Sequence, residues 1–306
     1  MQLLTIAWTV IAPIFLMMGV GFAVQRGIGF DIRSLTRLNF WVFVPSLLFV
    51  RIVESKLSAP DMIRIILHFS ILFALMFLIG WQAAKLLGAQ DRLRRAFTST
   101  VLFYNSANYG VPVAQLAFGD FGVAVQAIVA MLQNIFNFTI GLVLFAGGRG
   151  QGRKHTLQAI FKLPMIYVLV AAWAWRATQL PLPLPIHTAL HSLADGLVPV
   201  ALVTLGAQMA TLRSHRFSRV MTGSLLLRLC LGPILGFLIV RVLGIHGALA
   251  QSLIVSTSFP TAVNVALLSM EFDNEPDFAA AVVFYSTLLS AITVSLVIFL
   301  VKQMQL

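Results

Sequence analysis

Residues 103–119 read FYNSANYGVPVAQLAFG and place two asparagines, two tyrosines, two glycines and a proline inside a largely apolar run. Residues 256–268 read STSFPTAVNVALL and interrupt an apolar run of the second half in the same way. A proline removes a backbone donor and clashes with the preceding turn, and a glycine weakens that turn. We therefore expect the first helix to break at Gly110 and Pro112. Pro260 predicts the equivalent break in the second stretch.

The composition around these two stretches places them in a membrane. The 306 residues are 59% hydrophobic and only 10% charged, which is more apolar surface than one soluble core can bury. A bilayer core about 30 Å thick takes roughly 20 apolar residues per helix. Strong uncharged runs are 1–25, 65–84, 96–119, 121–148, 242–270 and 278–301, and weaker segments are 33–54, 156–178, 187–212 and 218–243. The sequence therefore predicts an all-α integral membrane protein with ten transmembrane helices.

The positive charges predict the orientation. A net charge of +11 would suggest nucleic acid in a soluble protein, but these Lys and Arg residues lie between apolar runs, so we exclude nucleic-acid binding. With both termini outside, 14 of the 21 Lys and Arg residues fall on the cytoplasmic side, as the positive-inside rule requires. The expected location is a bacterial inner membrane with the N- and C-termini in the periplasm.

The two halves of the chain repeat each other. Five spans per half is an odd number, so the second half must enter the membrane upside down, an arrangement typical of transporters. We expect a first five-helix repeat at 1–148, a Gly-rich, basic cytoplasmic hinge loop at 149–155, and a second, inverted repeat at 156–306. The prolines that align are Pro13 with Pro164, Pro45 with Pro199, and Pro112 with Pro260.

Two broken helices that meet at mid-membrane, the fourth and the ninth, would form an anion site. A half-helix that begins inside the membrane presents unpaired N–H groups and about half a positive charge at its N-terminus, and both favour a carboxylate. Ordinary proline kinks and helix–helix hydrogen bonding are the alternative roles for these residues. The candidate substrate-binding residues are Asn105, Asn108, Gly110, Pro112, Gln133, Pro260, Thr261 and Asn264.

These motifs resemble the auxin efflux carrier superfamily, and in particular its bacterial permeases for dicarboxylates such as malonate or malate. YNSANYGVP places Asn105 and Pro112 where the family has an Asn followed by Gly-x-Pro. Pro260, Glu271 and the Pro-Asp pair at 276–277 are similar to the family's ninth and tenth helices. Further similar patterns are Arg37 with Val44 and Pro45, Leu132 with Gln133, and RLCLGP at 228–233.

The resemblance covers nearly the whole chain. It implies a fold shared in outline with bile acid sodium symporters and sodium/proton antiporters, in which helices four and nine cross. It also implies that a carboxylate binds at this crossing, near Asn105 and the proline breaks. The long cytoplasmic loop of many plant carriers is absent from this sequence, which argues against auxin as the substrate.

Three charged residues, Arg228, Asp195 and Glu271, are candidates for coupling or gating. Arg228 falls mid-helix, where a charge is a functional candidate, and snorkelling or pairing with Asp195 is the alternative. His187, His191 and Asp195 follow one another at i, i+4 and i+8 on one helix face. These three residues form a stripe that is either a proton relay or a solvent-exposed helix end. Glu271 is a candidate through the family pattern.

The sequence therefore predicts a secondary transporter or uniporter of small organic anions, mono- or dicarboxylates, that works by alternating access. The alternatives are a membrane receptor that binds its ligand without transport, and a membrane-embedded enzyme, although no catalytic pair is evident. The crossing carries no acid of its own, which favours proton coupling or uniport over sodium coupling. The histidines lack zinc-type spacing, and we expect no metal or cofactor. The oligomeric state stays open, with a homodimer as one alternative.

Overall fold

The computed structural model describes residues 2–54, 57–146, 164–212 and 217–304. The helices in this part of the chain, labelled α1 to α11 in order, are Gln2–Gly27, Ile32–Val53, Ala59–Leu86, Asp91–Leu102, Gly110–Phe145, Pro164–Ala177, Leu184–Thr211, Arg219–Val242, Gly247–Ser256, Val263–Glu271 and Pro276–Gln303. An isolated antiparallel bridge joins Tyr104 to Thr261. The predicted hinge loop 149–155 and the beginning of the sixth predicted span lie outside the described residues.

Seven of these helices, α1, α2, α3, α5, α7, α8 and α11, are long and apolar enough to cross a membrane. The sequence predicted ten spans, and the difference has a physical origin. The fourth and ninth predicted spans are each divided into shorter pieces, and the described part of the sixth, α6, has 14 residues. A single helix needs about 20 residues to span the hydrocarbon core, so these pieces do not qualify alone. The protein is an all-helical, multi-pass membrane protein.

The two interrupted segments leave the helical conformation at residues 103–109 and 257–262. The first break lies upstream of its predicted position, because Gly110 and Pro112 belong to the first turn of α5. A proline in the first turn costs no intrahelical hydrogen bond, since the N–H groups there have no partner within the helix. Pro112 therefore begins the second half-helix instead of ending the first. Pro260 lies within the second break, as predicted.

Helix α5 changes direction at Gly119, whose backbone has φ 61° and ψ −153°. Glycine adopts such angles readily because it has no Cβ. Residues 110–118 therefore complete the interrupted segment, and the remainder of α5 forms the next one. This turn lies where the sequence predicts the fourth span to end and the fifth to begin, at residues 119–121.

Helices α1 and α7 pack with close backbone contact. A Cβ added at Gly21 would collide with the carbonyl of Val203, and a Cβ added at Gly206 would collide with the carbonyl of Met18. Small residues permit this approach in a membrane, where van der Waals packing joins helices that lipid would otherwise separate. Gly21 and Gly206 therefore serve close helix packing.

Three of the long helices contain a π-helical turn near the two breaks. A π turn inserts one extra residue into a helix and occurs often at functional sites. The turns contain Asn39, Asn137 and Arg228, whose side chains all reach the site described below. Their bounds are Asn39–Phe43 in α2, Asn137–Gly141 in α5 and Leu227–Leu231 in α8.

Candidate functional site

The two breaks cross each other and pair through their backbones. The N–H of Asn105 donates to the carbonyl of Pro260 at 2.8 Å, and the N–H of Ala262 donates to the carbonyl of Phe103 at 2.9 Å. Extended backbone at membrane depth must find such partners inside the protein, because lipid offers none. Each break therefore provides hydrogen-bond partners for polar backbone groups of the other.

Three buried side chains hold this crossing in place. Thr261 Oγ1 donates to the carbonyl of Thr100 at 2.8 Å, and the Thr261 N–H donates to Ser286 Oγ at 3.1 Å. Gln126 Nε2 donates to the carbonyl of Ser106 at 2.8 Å. These bonds tie both breaks to α4, α5 and α11, so the backbone geometry of the crossing is fixed from several sides.

Arg228 lies at the crossing with 1% of its surface exposed. Its Nη1 donates to the carbonyl of Val101 at 3.0 Å, and its Nη2 donates to the carbonyl of Thr257. Its Cζ lies 4.8 Å from the centre of the Tyr104 ring. Val101 and Thr257 are at the C-terminal ends of α4 and α9, and each such end carries about half a negative charge. One cation therefore neutralises two helix ends.

The alternative in which Arg228 pairs with Asp195 is wrong. Asp195 is exposed on α7, whereas the guanidinium is buried and occupied by two carbonyls. Two glycines of α8 make room for this arrangement. A Cβ at Gly232 would lie 2.7 Å from Arg228 Nη2, and a Cβ at Gly236 would lie 2.8 Å from Thr257 Cγ2. Positions 232 and 236 of α8 must therefore stay free of side chains.

A polar cavity of about 80 Å³ lies against the crossing. Four of the candidate substrate-binding residues line it, namely Asn105, Asn108, Gln133 and Asn264. Its other polar lining residues include Thr36, Asn39, Ser106, Asn134 and Asn137. Among the described residues around this cavity there is no Asp or Glu. The cavity is therefore polar and lacks a fixed negative charge.

Both half-helices that begin at the crossing leave N–H groups without a partner. The N–H groups of Ala107 and Asn108, just before α5, find no acceptor in the described part of the chain. The same holds for Val263 and Asn264, the first two residues of α10. All four residues line the cavity. Free N–H groups at a helix N-terminus attract negative charge, so both helices contribute to one anion-attracting surface.

Three buried amide side chains of the cavity keep an oxygen atom unpaired. Asn39 Nδ2 donates to Thr204 Oγ1 at 3.3 Å, and Gln133 Nε2 donates to the carbonyl of Leu102 at 3.1 Å. The side-chain oxygens of Asn39, Gln133 and Asn137 have no hydrogen-bond partner. An amide oxygen accepts a hydrogen bond, so these three atoms can bind a hydroxyl group, a protonated carboxyl group or water.

Helix α2 supplies a wall of the cavity that the sequence did not predict. Thr36, Asn39 and Phe40 lie on this wall, and Arg37 lines an adjoining vestibule of about 280 Å³. A lone asparagine and an arginine near the start of a weakly apolar span were the available signals, because polar groups in such spans tend to face a cavity. Neither residue, however, predicts from the sequence that α2 is the helix that faces the two breaks.

Seven candidate residues do not line the cavity. Gly110, Pro112, Pro260 and Thr261 are buried beside it, Arg228 lies at the helix ends, and Asp195 and Glu271 are exposed elsewhere. Gly110 shows the role of the buried group, because a Cβ there would lie 2.7 Å from Phe259 Cε2 and 2.8 Å from Gln126 Nε2. These residues shape the crossing by close packing.

One end of the crossing is closed by an apolar cluster and an ion pair. The cluster consists of six buried residues of α2, α5 and α7: Leu47, Val111, Val123, Ala194, Leu197 and Ala201. Val44 both lines the cavity and packs against this cluster. At the end of α2, Arg51 Nη1 lies 2.8 Å from Asp120 Oδ1, beside the Gly119 turn. The vestibule beside Arg37 is at the opposite end of α2.

Comparison with known proteins adds a family to this geometry. The sequence profile of a family described as membrane transport protein matches residues 6–160 and 151–298, which together cover most of the chain. An uncharacterized transporter of Methanothermobacter thermautotrophicus is 28% identical over 272 residues, which are 87% of this chain and 88% of the relative.

Two further relatives are similar over almost the same length. A protein of Rhizobium meliloti that has been proposed to be a malonate transporter is 24% identical over 307 residues, 95% of each chain. An uncharacterized transporter of Methanocaldococcus jannaschii is 23% identical over 279 residues, 86% of this chain and 88% of the relative. The chain therefore belongs to the membrane transport protein family, which is the auxin efflux carrier superfamily that its motifs resemble.

Proposed function

We propose that the protein is a secondary transporter or uniporter of small organic anions, mono- or dicarboxylates, in a bacterial inner membrane. One observation carries the proposal. Four unpaired N–H groups from two half-helices surround one cavity that has no acidic side chain among its described lining residues. Such N-termini bind anions through oriented N–H groups and a favourable dipole.

The amide side chains of the cavity complete this anion site. Asn105, Asn108 and Asn264 line the same cavity as the free N–H groups, and each amide has an NH₂ group that can donate to a carboxylate. Neutral donors release an anion more easily than a buried lysine or arginine would, and a carrier must release its substrate in every cycle. Arg228 does not serve as the anion receptor, because its two terminal nitrogens already bind carbonyls.

The size of the cavity favours a small substrate. A site for one water molecule needs about 10–15 Å³. A cavity of about 80 Å³ therefore accommodates a small carboxylate and a few waters. The Rhizobium meliloti relative proposed to transport malonate supports a three-carbon dicarboxylate as the first substrate to test.

The ten-span topology of two inverted repeats belongs to this proposal. Helix α4 with residues 110–118 makes one span, the rest of α5 the next, and α9 with α10 another. With α6 and the six other long helices, the chain then crosses the membrane ten times. The two divided spans take equivalent places in the two halves, which is the arrangement that inverted-repeat transporters use around their binding site.

Alternating access follows from the two ends of the crossing. With both termini outside, the vestibule beside Arg37 opens to the cytoplasm, and Arg37 supplies positive charge at this entrance. The opposite side becomes accessible when the apolar cluster around Leu197 separates and the Arg51–Asp120 ion pair breaks. The described residues that line the cavity include no acid that would bind sodium, so coupling to protons or uniport fits better than sodium coupling.

Uptake of labelled malonate into proteoliposomes tests the proposal. We expect saturable flux that other small dicarboxylates inhibit and that amino acids and sugars do not. Asn105→Ala should lower this flux more than about tenfold, because a hydrogen bond to a charged group contributes about 1.5–3 kcal/mol and the variant leaves a substrate carboxylate oxygen without this donor. Thermal unfolding of the purified protein should stay unchanged.

Gln82→Ala is the matched control, since Gln82 is exposed on α3 and far from the cavity lining. Its flux should equal that of the wild type. Absence of saturable flux for every small organic anion in a broad panel would refute the proposed function. Full flux in Asn105→Ala would remove this asparagine from the site.

A further inference from the structure

Three side chains with metal-binding atoms meet at the closed end of the crossing, outside the proposed substrate site. His191 Nε2 lies 2.7 Å from Glu54 Oε1, and His187 Nε2 lies 3.4 Å from the same oxygen. The donor atoms of all three residues are within 4.8 Å of one another. Glu54 immediately follows α2, whereas both histidines lie in the first turns of α7.

The two histidines are arranged as a pair by the helix itself. They are four residues apart, so they lie one above the other on the same face of α7. Their ring centres are 4.2 Å apart. Glu54 lies across from them, 137 residues earlier than His191 in the chain. The group thus combines a local histidine pair with a carboxylate from a different helix.

We propose that Glu54, His187 and His191 form a binding site for a divalent transition metal ion, with Zn²⁺ as the reference ion. Zn²⁺ binds His nitrogen and carboxylate oxygen at about 2.0–2.2 Å, so tetrahedral ligands lie about 3.3 Å apart. The distance of 3.4 Å between His187 Nε2 and Glu54 Oε1 agrees with this spacing. The 2.7 Å contact of His191 is a hydrogen bond that would lengthen by about half an ångström when a metal replaces its proton.

The surroundings leave one coordination position open. The side chains of His187, Glu54 and His191 are 45%, 37% and 28% exposed, so solvent reaches the centre of the group. Three protein ligands with a water in the fourth position are typical of accessible zinc sites. Imidazole ligands favour Cu²⁺, Ni²⁺ and Zn²⁺, whereas Mg²⁺ and Ca²⁺ prefer oxygen ligands alone. Asp195, one turn beyond His191, is not part of this group.

This site was not predicted because the histidine spacing alone does not define it. The residues of the stripe were His187, His191 and Asp195, whereas the structure joins the two histidines to Glu54. A metal ion here would connect the end of α2 to the start of α7. The site is independent of the proposed transport function, since none of its three ligands lines the cavity.

Calorimetric titration of Zn²⁺ into the full-length protein tests the site. The protein should be purified in detergent without a polyhistidine tag and stripped with a chelator. We expect one Zn²⁺ per chain and a higher thermal unfolding temperature in its presence, because a ligand that binds the folded state stabilises it. His187→Ala, His191→Ala and Glu54→Gln should each weaken binding more than about tenfold, since losing even an outer-shell partner costs 10–100-fold.

His246→Ala is the matched control, because His246 is an exposed histidine of another loop. It should bind Zn²⁺ like the wild type, and Mg²⁺ should bind to none of the proteins. The proposal is refuted if the wild type binds no Zn²⁺ at millimolar concentration. It is also refuted if the three ligand variants, folded by circular dichroism, retain wild-type affinity.

Discussion

Replacing Arg228 by methionine should loosen the crossing. The substitution keeps a long side chain but removes the donors that bind the carbonyls of Val101 and Thr257. Each buried carbonyl left unpaired costs about 1–3 kcal/mol. The free energy of unfolding should therefore fall by about 2–6 kcal/mol, before any gain from burying methionine. Arg228→Lys keeps the charge, but one ammonium lacks the forked geometry that reaches both carbonyls. Its destabilisation should be about half of that of Arg228→Met.

Denaturation in mixed detergent micelles, followed by circular dichroism, measures this change in the free energy of unfolding. Arg241→Met is the control on the same helix, because Arg241 is exposed at the end of α8. It should change stability by less than about 0.5 kcal/mol. Equal stability of Arg228→Met and the wild type would refute the argument that this cation joins the two helix ends.

Two further predictions concern packing and the closed end. Gly206→Leu should abolish folded protein because its side chain would collide with the backbone of α1, whereas Gly19→Leu, which meets nothing within 4 Å, should fold normally; size-exclusion chromatography in detergent distinguishes them, and a monodisperse Gly206→Leu would contradict the packing. Asp120→Asn should open the closed end. A partly exposed ion pair contributes about 0.2–1 kcal/mol, so maleimide labelling of Leu197→Cys in a Cys230→Ser background should rise about 1.5- to fivefold. Unchanged labelling would contradict a gating role.

Local sequence patterns predicted the features that depend on local chemistry. Long apolar runs predicted the membrane helices. The turn at Gly119 lies where the fourth predicted span ends and the fifth begins. The two breaks were predicted from prolines in polar surroundings. The first break was misplaced because a proline is equally compatible with the first turn of a helix, as at Pro112. Deciding between these positions requires the partner backbone at Pro260, which lies in the other half of the chain.

The features that the sequence did not predict depend on contacts between distant segments. Arg228 was assigned to mid-helix correctly, but its partners are backbone carbonyls, which have no sequence signature. Asn39 enters the cavity because α2 faces the breaks, and Glu54 joins the histidines because α2 and α7 end together. The sequence did single out the asparagines at 105, 108 and 264, which line the cavity, because breaks and polar residues coincide there.

The backbone pairing between Asn105 and Pro260 also constrains how the protein is made. The first break leaves the ribosome about 150 residues before its partner, which at 5–20 residues per second is roughly 8–30 s. During this interval its polar backbone cannot face lipid without a large penalty. The nascent first half must therefore wait in a wet or protein-lined environment, such as the insertion machinery, until residues 257–262 arrive.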